Sequence, residues 1–530
     1  MRLYESLLKA ASEEPDRHAL ELGGQPISFA EFADAAQRVT VGLKQSGIQP
    51  GDSVAVMLPN LPQFAACEYG VFMAGAIFVP VNVMLTPAEL EYVVRDSNVR
   101  VLVVFEMWTE QVRAGIAKIE SPPQVFVVGE CPDDFRPFAE LVASSEGFDP
   151  TPRDTGEAIM TLYTSGTTGS PKGALITHAN VIANINMVSH IFPTEPSDRT
   201  LCVLPLFHCF ALNSVLNMAV HKRTCVVLHP RFEVESCFKA LAGEGITSMA
   251  GVPTMYFYLL KHPDLGREKF PRLRYCISGG AAMPVEVLNE WESRTGVPIY
   301  EGFGMTETTV SVSVNRPDRR KVGSIGLPFD GVEMAIVDEA DNRLPDGEVG
   351  ELIIRAPNVM KGYLNKPIET AEVLRDSWFH TGDLARRDED GFFYIVDRKK
   401  DMIIKGGFNI YPREIEEVIY QRPEIAEAAV IGVHDDAKGE QILALVAVKH
   451  GAQLSENDLR GYLEQHLARY KLPQMYEFRD ELPKGPTGKT SPRTPPAIHP
   501  VGTAWCFQRA VTTASSPRPA PDHKNPPDTV

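Results

Sequence analysis

Two short stretches hold residue types whose order could do chemistry. "YTSGTTGSPKGA", residues 163–174, follows the apolar run "AIMTL" and mixes glycines and hydroxyls with Lys172. Glycine lets the backbone turn tightly and gather its N–H groups, hydroxyls add donors, and the lysine adds positive charge. Together these make a cradle for phosphate. It is not a Walker A loop, because Ser170 and Pro171 separate Lys172 from Gly169, and Gly173 follows where Ser or Thr would be needed. A flexible linker would share the composition, but its place directly behind an apolar strand argues against one. The second stretch, "ELPKGPTGKTSPR" at 481–493, puts Lys489 on a Pro/Gly-rich turn just before a ragged tail. Such a lysine is either a solvated charge or a group carried to chemistry elsewhere in the chain.

The elements that must position these residues alternate in kind. From about Pro50 to Glu307, short apolar runs such as "SVAVML", "VRVLVVF" and "LRYCISGG" are interleaved with helical patterns. In "EVESCFKALAGEG" the residues Val234, Cys237, Phe238 and Leu241 recur at helical spacing. This alternation predicts mostly parallel sheets covered by helices, with ligands beyond the carboxyl ends of the strands. After Lys321 the pattern changes to strands joined by polar turns, which predicts a small antiparallel barrel or sheet over about 322–397. Past Arg398 a compact α+β unit follows, with a helix "PREIEEVIYQ" and a last helix capped by Ser455 and Asp458. The expected division is a large α/β domain over 1–397, a small α+β domain over 398–490, and a disordered Pro-rich tail over 491–530.

The chain has 530 residues and a net charge of −17, which argues against a nucleic-acid surface while leaving small anionic ligands open. Its eight cysteines form no C-x-x-C pair, and Cys202, Cys209, Cys225 and Cys237 read as small buried hydrophobes in a reducing cytoplasm. The run "VFMAGAIFVPVNVML" is shorter than the roughly 20 residues of a membrane span and contains Pro80. No transmembrane segment is expected; peripheral membrane contact and a homodimer stay open.

Five ordered motifs resemble those of the adenylate-forming enzymes. They are the 163–174 loop, "SGGAAMP" (278–284), "YEGFGMTET" (300–308), the "HTGD" to "GGFNIYPREIE" region (380–416) and "PKGPTGK" (483–489). The likeness is greatest to bacterial-type fatty-acyl-CoA ligases. It implies ATP and coenzyme A as co-substrates, Mg²⁺ as cofactor and a fatty acid as the acid. The loop residues Thr164, Ser165, Gly166, Thr167, Thr168 and Gly169 would hold ATP phosphates, with Lys172 beside them. Phe303 and Gly304 would pack on one side of adenine, and Gly280 and Ala281 on the other. Thr306 would bond the α-phosphate, Glu307 would help hold Mg²⁺, and Asp383 and Arg398 would take the ribose. Lys400 would be the hinge, Gly407 would line the coenzyme A tunnel, and His208 would stand near the substrate carboxylate.

That resemblance also gives Lys489 a role. A carboxylate attacking the α-phosphorus of ATP brings two anions together, which calls for fixed positive charge. A thiol must later reach the acyl adenylate through a clear channel. In the family the small C-terminal domain swings about the hinge and presents first the terminal lysine, then the face around Gly407. Relatives usually continue with a basic helix where this chain has "TSPRTPPAIHP". Alternatives within the superfamily are an aryl-CoA ligase or an acyl-AMP ligase that loads a carrier protein. Outside it stands a catalytically impaired homologue that binds nucleotide or acyl chains. Ala211, where glycine is common, would narrow the acyl entrance, and "MYFYLL" would line it or simply be core.

Overall fold

A computed structural model describes residues 1–164, 171–266, 270–405, 408–435 and 439–484. Two large sheets carry most of the chain. In one, the strands His18–Leu22, Cys225–Leu228, Arg199–Cys202, Ser248–Gly251, Tyr275–Ser278 and Ile299–Gly304 run parallel, and Ser311–Val314 and Leu327–Pro328 extend the edge antiparallel. In the other, Ser53–Met57 lies between Ile77–Pro80 and Val99–Phe105 with all five of its residues buried. An unbroken apolar strand is what a parallel sheet covered on both faces requires. This sheet reaches Ala158–Thr164, turns back as Lys172–Thr177, and ends on the short strand Gly362–Tyr363.

Helices cover both sheets, and their starts are written in the sequence. Ser28 with Glu31, Thr86 with Glu89 and Thr177 with Asn180 each form a reciprocal cap in which side chain and backbone satisfy one another. The helix predicted around Val234 spans Val234–Gly243 and buries Cys237, Phe238 and Leu241. The apolar run at 71–85 divides into the end of helix Pro62–Met73 and strand Ile77–Pro80. Among the described residues no helix is long and apolar enough to cross a membrane.

The change of pattern after Lys321 appears as a five-stranded antiparallel sheet of Glu333–Val337, Gly350–Arg355, Leu374–Arg375, Trp378–Arg387 and Phe393–Arg398. The chain leaves this sheet at Gly362–Tyr363 to pair with the second large sheet, an excursion that matters for the site. A last sheet, with Ile425–Asp435 paired to Gly439–Val448, packs against helices Pro412–Tyr420 and Glu456–His466. Ser455 and Asp458 cap the second of these, and Leu459 and Leu463 are fully buried, whereas Leu467 falls just beyond its end. The predicted tail over 491–530 lies outside the described residues.

Candidate active site

The cradle is framed by the strand pair Ala158–Thr164 and Lys172–Thr177. Thr164 and Lys172 face each other in register, and the Thr164 hydroxyl donates to the Lys172 carbonyl at 3.4 Å. Of the predicted phosphate ligands, Ser165, Gly166, Thr167, Thr168 and Gly169 lie outside the described residues. The strand return needs glycine at position 173, since a Cβ there would stand 2.6 Å from Thr161 Cγ2 and 3.2 Å from the Tyr163 ring. Tyr163 is fixed in turn by donating its hydroxyl to Asp96 at 2.6 Å.

Lys172 lies against the ring of Tyr363, its Nζ 5.2 Å from the centroid. The Tyr363 hydroxyl donates to Glu307 Oε1 at 2.8 Å. Glu307 sits in the short 3₁₀ turn Thr306–Thr308 that follows strand Ile299–Gly304, and its backbone carbonyl accepts the Met360 N–H at 2.7 Å. The turn is built on two demanding residues. Gly304 admits no Cβ, which would stand 1.5 Å from the Val310 carbonyl oxygen. Thr309 takes a left-handed φ of 61° although it is β-branched, a conformation that persists only where neighbours hold it.

The holding groups are buried amides. Thr309 donates its hydroxyl to the Asn358 carbonyl at 2.7 Å, and Asn358 Nδ2 donates to the carbonyls of Thr308 and Ser311 at 2.7 and 2.9 Å. From the other side Asn213 Nδ2 donates to the Thr309 carbonyl at 3.1 Å. Asn213 stands on a π-helical segment, Leu212–Asn217, and accepts from Asn217, which also donates to Glu68 at 2.8 Å. Burial pushes the Glu68 carboxyl up to about 8, with the Asn217 bond opposing, so it enters this chain of amides uncharged at neutral pH.

His208 and Cys209 approach the same turn. The Thr306 hydroxyl is 3.6 Å from Cys209 Sγ, and His208 caps the following turn by accepting the Phe210 N–H at Nδ1. Burial pushes the Cys209 thiol up to about 12, against the pull of its Thr306 contact, so it serves as a neutral neighbour. Phe210 backs Gly279, where a Cβ would stand 3.3 Å from its ring, and Val252 lies 3.6 Å from the corresponding point on Gly280.

Parallel pairing of Tyr275–Ser278 with Ile299–Gly304 brings Gly280 and Ala281 to the same sheet end as Phe303 and Gly304. Phe303 is partly buried, and Gly280 adopts a positive φ of 78°. Asp383 and Arg398 form a separate pair. They are register partners on adjacent strands, joined at 3.2 Å, with Asp383 only 4% exposed. Lys400 is an exposed residue of the turn that follows Arg398. The Asp397 carboxylate ties that turn to the next helix by accepting the N–H groups of Arg398 and Arg413 at 2.7 and 3.1 Å. Gly407 and Lys489 lie outside the described residues.

Ala211, expected to narrow the acyl entrance, is fully buried and belongs to the core cluster. In "MYFYLL" Tyr256 and Leu259 are fully buried, with the Tyr256 hydroxyl spent on the Ile277 carbonyl, so much of that stretch is core. Sequence reading did not single out Tyr363 or Asn213 as neighbours of the turn and took Cys209 only as a small buried hydrophobe, because each comes from an element distant in sequence.

Comparison with known proteins places this arrangement. The AMP-binding enzyme family matches residues 7–364, and the AMP-binding enzyme C-terminal domain matches 414–489. A long-chain-fatty-acid–CoA ligase of Bacillus subtilis is 36% identical over 522 residues, with 92% of each chain covered. A feruloyl-CoA synthase of Amycolatopsis is 37% identical over 486 residues, covering 91% of this chain and 96% of that one. The crystal structure of ATP-bound MatB from Rhodopseudomonas palustris superposes with a TM-score of 0.86 at 32% identity, covering 92% of this chain and 97% of that one. The chain belongs to the AMP-binding enzyme family. Within it, this is an AMP-forming acid–thiol ligase of the acyl-CoA ligase kind.

Proposed function

We propose that the acid is a medium- to long-chain fatty acid. Its carboxylate attacks the α-phosphorus of ATP, pyrophosphate leaves, and the sulfur of coenzyme A then displaces AMP from the acyl adenylate to give the thioester. The observation that supports the acyl part of this reading is the likeness to a long-chain-fatty-acid–CoA ligase over 92% of the chain, which favours an alkyl acid.

In this reading Thr164, Lys172 and the loop from Ser165 to Gly169 hold the phosphates, and Thr306 donates to the α-phosphate. Phe303, Gly304, Gly280 and Ala281 enclose adenine. Asp383 accepts from the ribose hydroxyls with Arg398 beside it, and His208 borders the carboxylate. Among the described residues no three His, Cys, Asp or Glu side chains gather as a metal cage, and Glu307 is a single hard oxygen donor. That donor set fits Mg²⁺ held chiefly by phosphate oxygens and water. The ion would neutralise phosphate charge; Glu307 would fix where it sits. Residues 1–397 and 398–490 act as two domains joined at Lys400, which bring first Lys489 to the carboxylate and α-phosphate and then Gly407 to the face where the thiol enters.

An aryl acid is the second reading, favoured by 37% identity to the feruloyl-CoA synthase. ATP–pyrophosphate exchange with straight-chain acids of increasing length and with hydroxycinnamic acids decides between them. Exchange that rises with alkyl length, with AMP release dependent on coenzyme A, is the expected result. Best exchange with hydroxycinnamates would establish the aryl reading instead. Exchange without thiol-dependent turnover would mean delivery to a carrier protein, and ATP binding without any exchange would mean an impaired homologue.

A further inference from the structure

Tyr363 belongs to none of the motifs that define the site, yet it touches two of them. Its backbone is pinned on three sides. The short strand Gly362–Tyr363 pairs with Leu175 and Ala174, the Leu364 N–H donates to the Gly173 carbonyl at 2.8 Å, and the Tyr363 N–H donates to Thr370 Oγ1 at 2.9 Å. Gly362, with a φ of 149°, lets Thr370 come this close, since a Cβ there would stand 2.8 Å from Thr370 Cγ2. The side chain, only 9% exposed, therefore has one place to go. Its hydroxyl meets Glu307 Oε1 at 2.8 Å, and its ring meets Lys172. A phenol keeps its proton at neutral pH, so the hydroxyl is the donor in this pair.

We propose that Tyr363 is a positioning residue for adenylation: it holds one oxygen of Glu307, leaving the other for the divalent cation that accompanies the nucleoside triphosphate, and it seats the Lys172 ammonium on its ring. This rests on the reading of Glu307 as a metal-holding group. The physical case is that a flexible glutamate carboxylate is a poor metal ligand until something orients it. A neutral, rigid, buried phenol does so without adding charge. The ring face attracts the ammonium electrostatically, so one side chain sets the spacing between the cation on the strand Lys172–Thr177 and the carboxylate on the Thr306–Thr308 turn. Among the described residues Glu307 Oε2 accepts no hydrogen bond, in keeping with its being left for a metal.

The test compares Tyr363→Phe, Tyr363→Leu and Glu307→Gln in the full chain, using Mn²⁺ as a paramagnetic probe. Bound Mn²⁺–ATP is read by electron paramagnetic resonance, and metal-free ATP binding by calorimetry. Tyr363→Phe is expected to weaken Mn²⁺–ATP about tenfold, the usual effect of removing a group that orients a metal ligand, while metal-free ATP binds as before. Raising the metal concentration should then restore exchange. Tyr363→Leu, which also removes the ring, should weaken metal-free ATP as well. Wild-type Mn²⁺–ATP affinity in Tyr363→Phe, together with a loss in Glu307→Gln, overturns the role of Tyr363 and leaves the site reading standing. Wild-type affinity in Glu307→Gln overturns the metal role of Glu307, and the Tyr363 inference goes with it.

Discussion

Asp383 shows what one residue can be asked to do. It is buried on a strand, paired with a half-exposed Arg398, and its N–H is taken by the Thr381 hydroxyl at 3.0 Å. A buried carboxylate held this firmly is pre-aimed, so accepting two vicinal hydroxyls costs little ordering. Asp383→Ala is expected to raise the KM for ATP roughly ten- to hundredfold, as loss of hydrogen bonds to a charged acceptor does. The same variant should show almost no penalty relative to wild type when 2′,3′-dideoxy-ATP replaces ATP. A penalty of equal size with both nucleotides would mean that Asp383 supports the sheet and does not read the sugar. Asp383 could be singled out beforehand because "HTGD" resembles a family motif, and its pairing with Arg398 is what the structure adds. Tyr363 could not: "KGYLNKP" names no chemistry until the chain folds it between Lys172 and Glu307.

At the scale of elements, the Thr306–Thr308 turn owes its shape to groups far away in sequence. Parallel strands could be read from alternating apolar and helical patterns, and the placement of Phe303 and Gly280 at neighbouring strand ends follows from that order. The π-helical segment Leu212–Asn217 could not be read, because "LNSVLN" looks like any buried helix and its asparagines look like exceptions to an apolar stripe. Asn213 and Asn217, four residues apart, lie on one face of it and link Glu68 to the carbonyl of a strained Thr309. Asn213→Ala leaves that carbonyl and the Asn217 amide without their partner, and a buried unmatched pair of this sort costs about 1–3 kcal/mol. A lower melting temperature is therefore expected, with a fall in pyrophosphate exchange, because the turn carrying Thr306 and Glu307 loses one of its two amide supports. Unchanged exchange at a temperature where the variant is fully folded would show that Asn358 alone holds the turn.

For the whole molecule, polar side chains help to tie the C-terminal part to the large α/β part. Lys484 bonds Glu427 at 2.8 Å on its own side and the Tyr258 hydroxyl at 2.5 Å across the contact. Helix Pro412–Tyr420 brings Arg413 and Glu417 within electrostatic reach of Glu301 on the strand Ile299–Gly304. Polar contacts of this kind can separate without exposing a core, which suits the domain movement proposed above. They also make docking sensitive to pH. Burial pushes Glu301 up to about 7 against an ordinary 4.5, with Arg413 opposing, and one of its oxygens has no partner. Glu416, less completely covered, is also pushed up to about 7, and burial raises Asp397 and Glu417. These groups keep protons in the folded state that the unfolded chain would release. The contribution of Glu301 and Glu416 is thus complete below pH 4.5 and is lost as pH rises through about 7; for Glu301 it is on the order of 3 kcal/mol. Over that window, limited proteolysis in the exposed turn at Lys399–Asp401 should quicken as pH rises. Glu301→Gln, which keeps the Met283 N–H bonded to an amide oxygen and cannot ionise, should flatten the profile. A cleavage rate in Glu301→Gln that climbs with pH as steeply as in the parent would remove Glu301 from the docking equilibrium and leave the Lys484 bond to the Tyr258 hydroxyl as its principal tie.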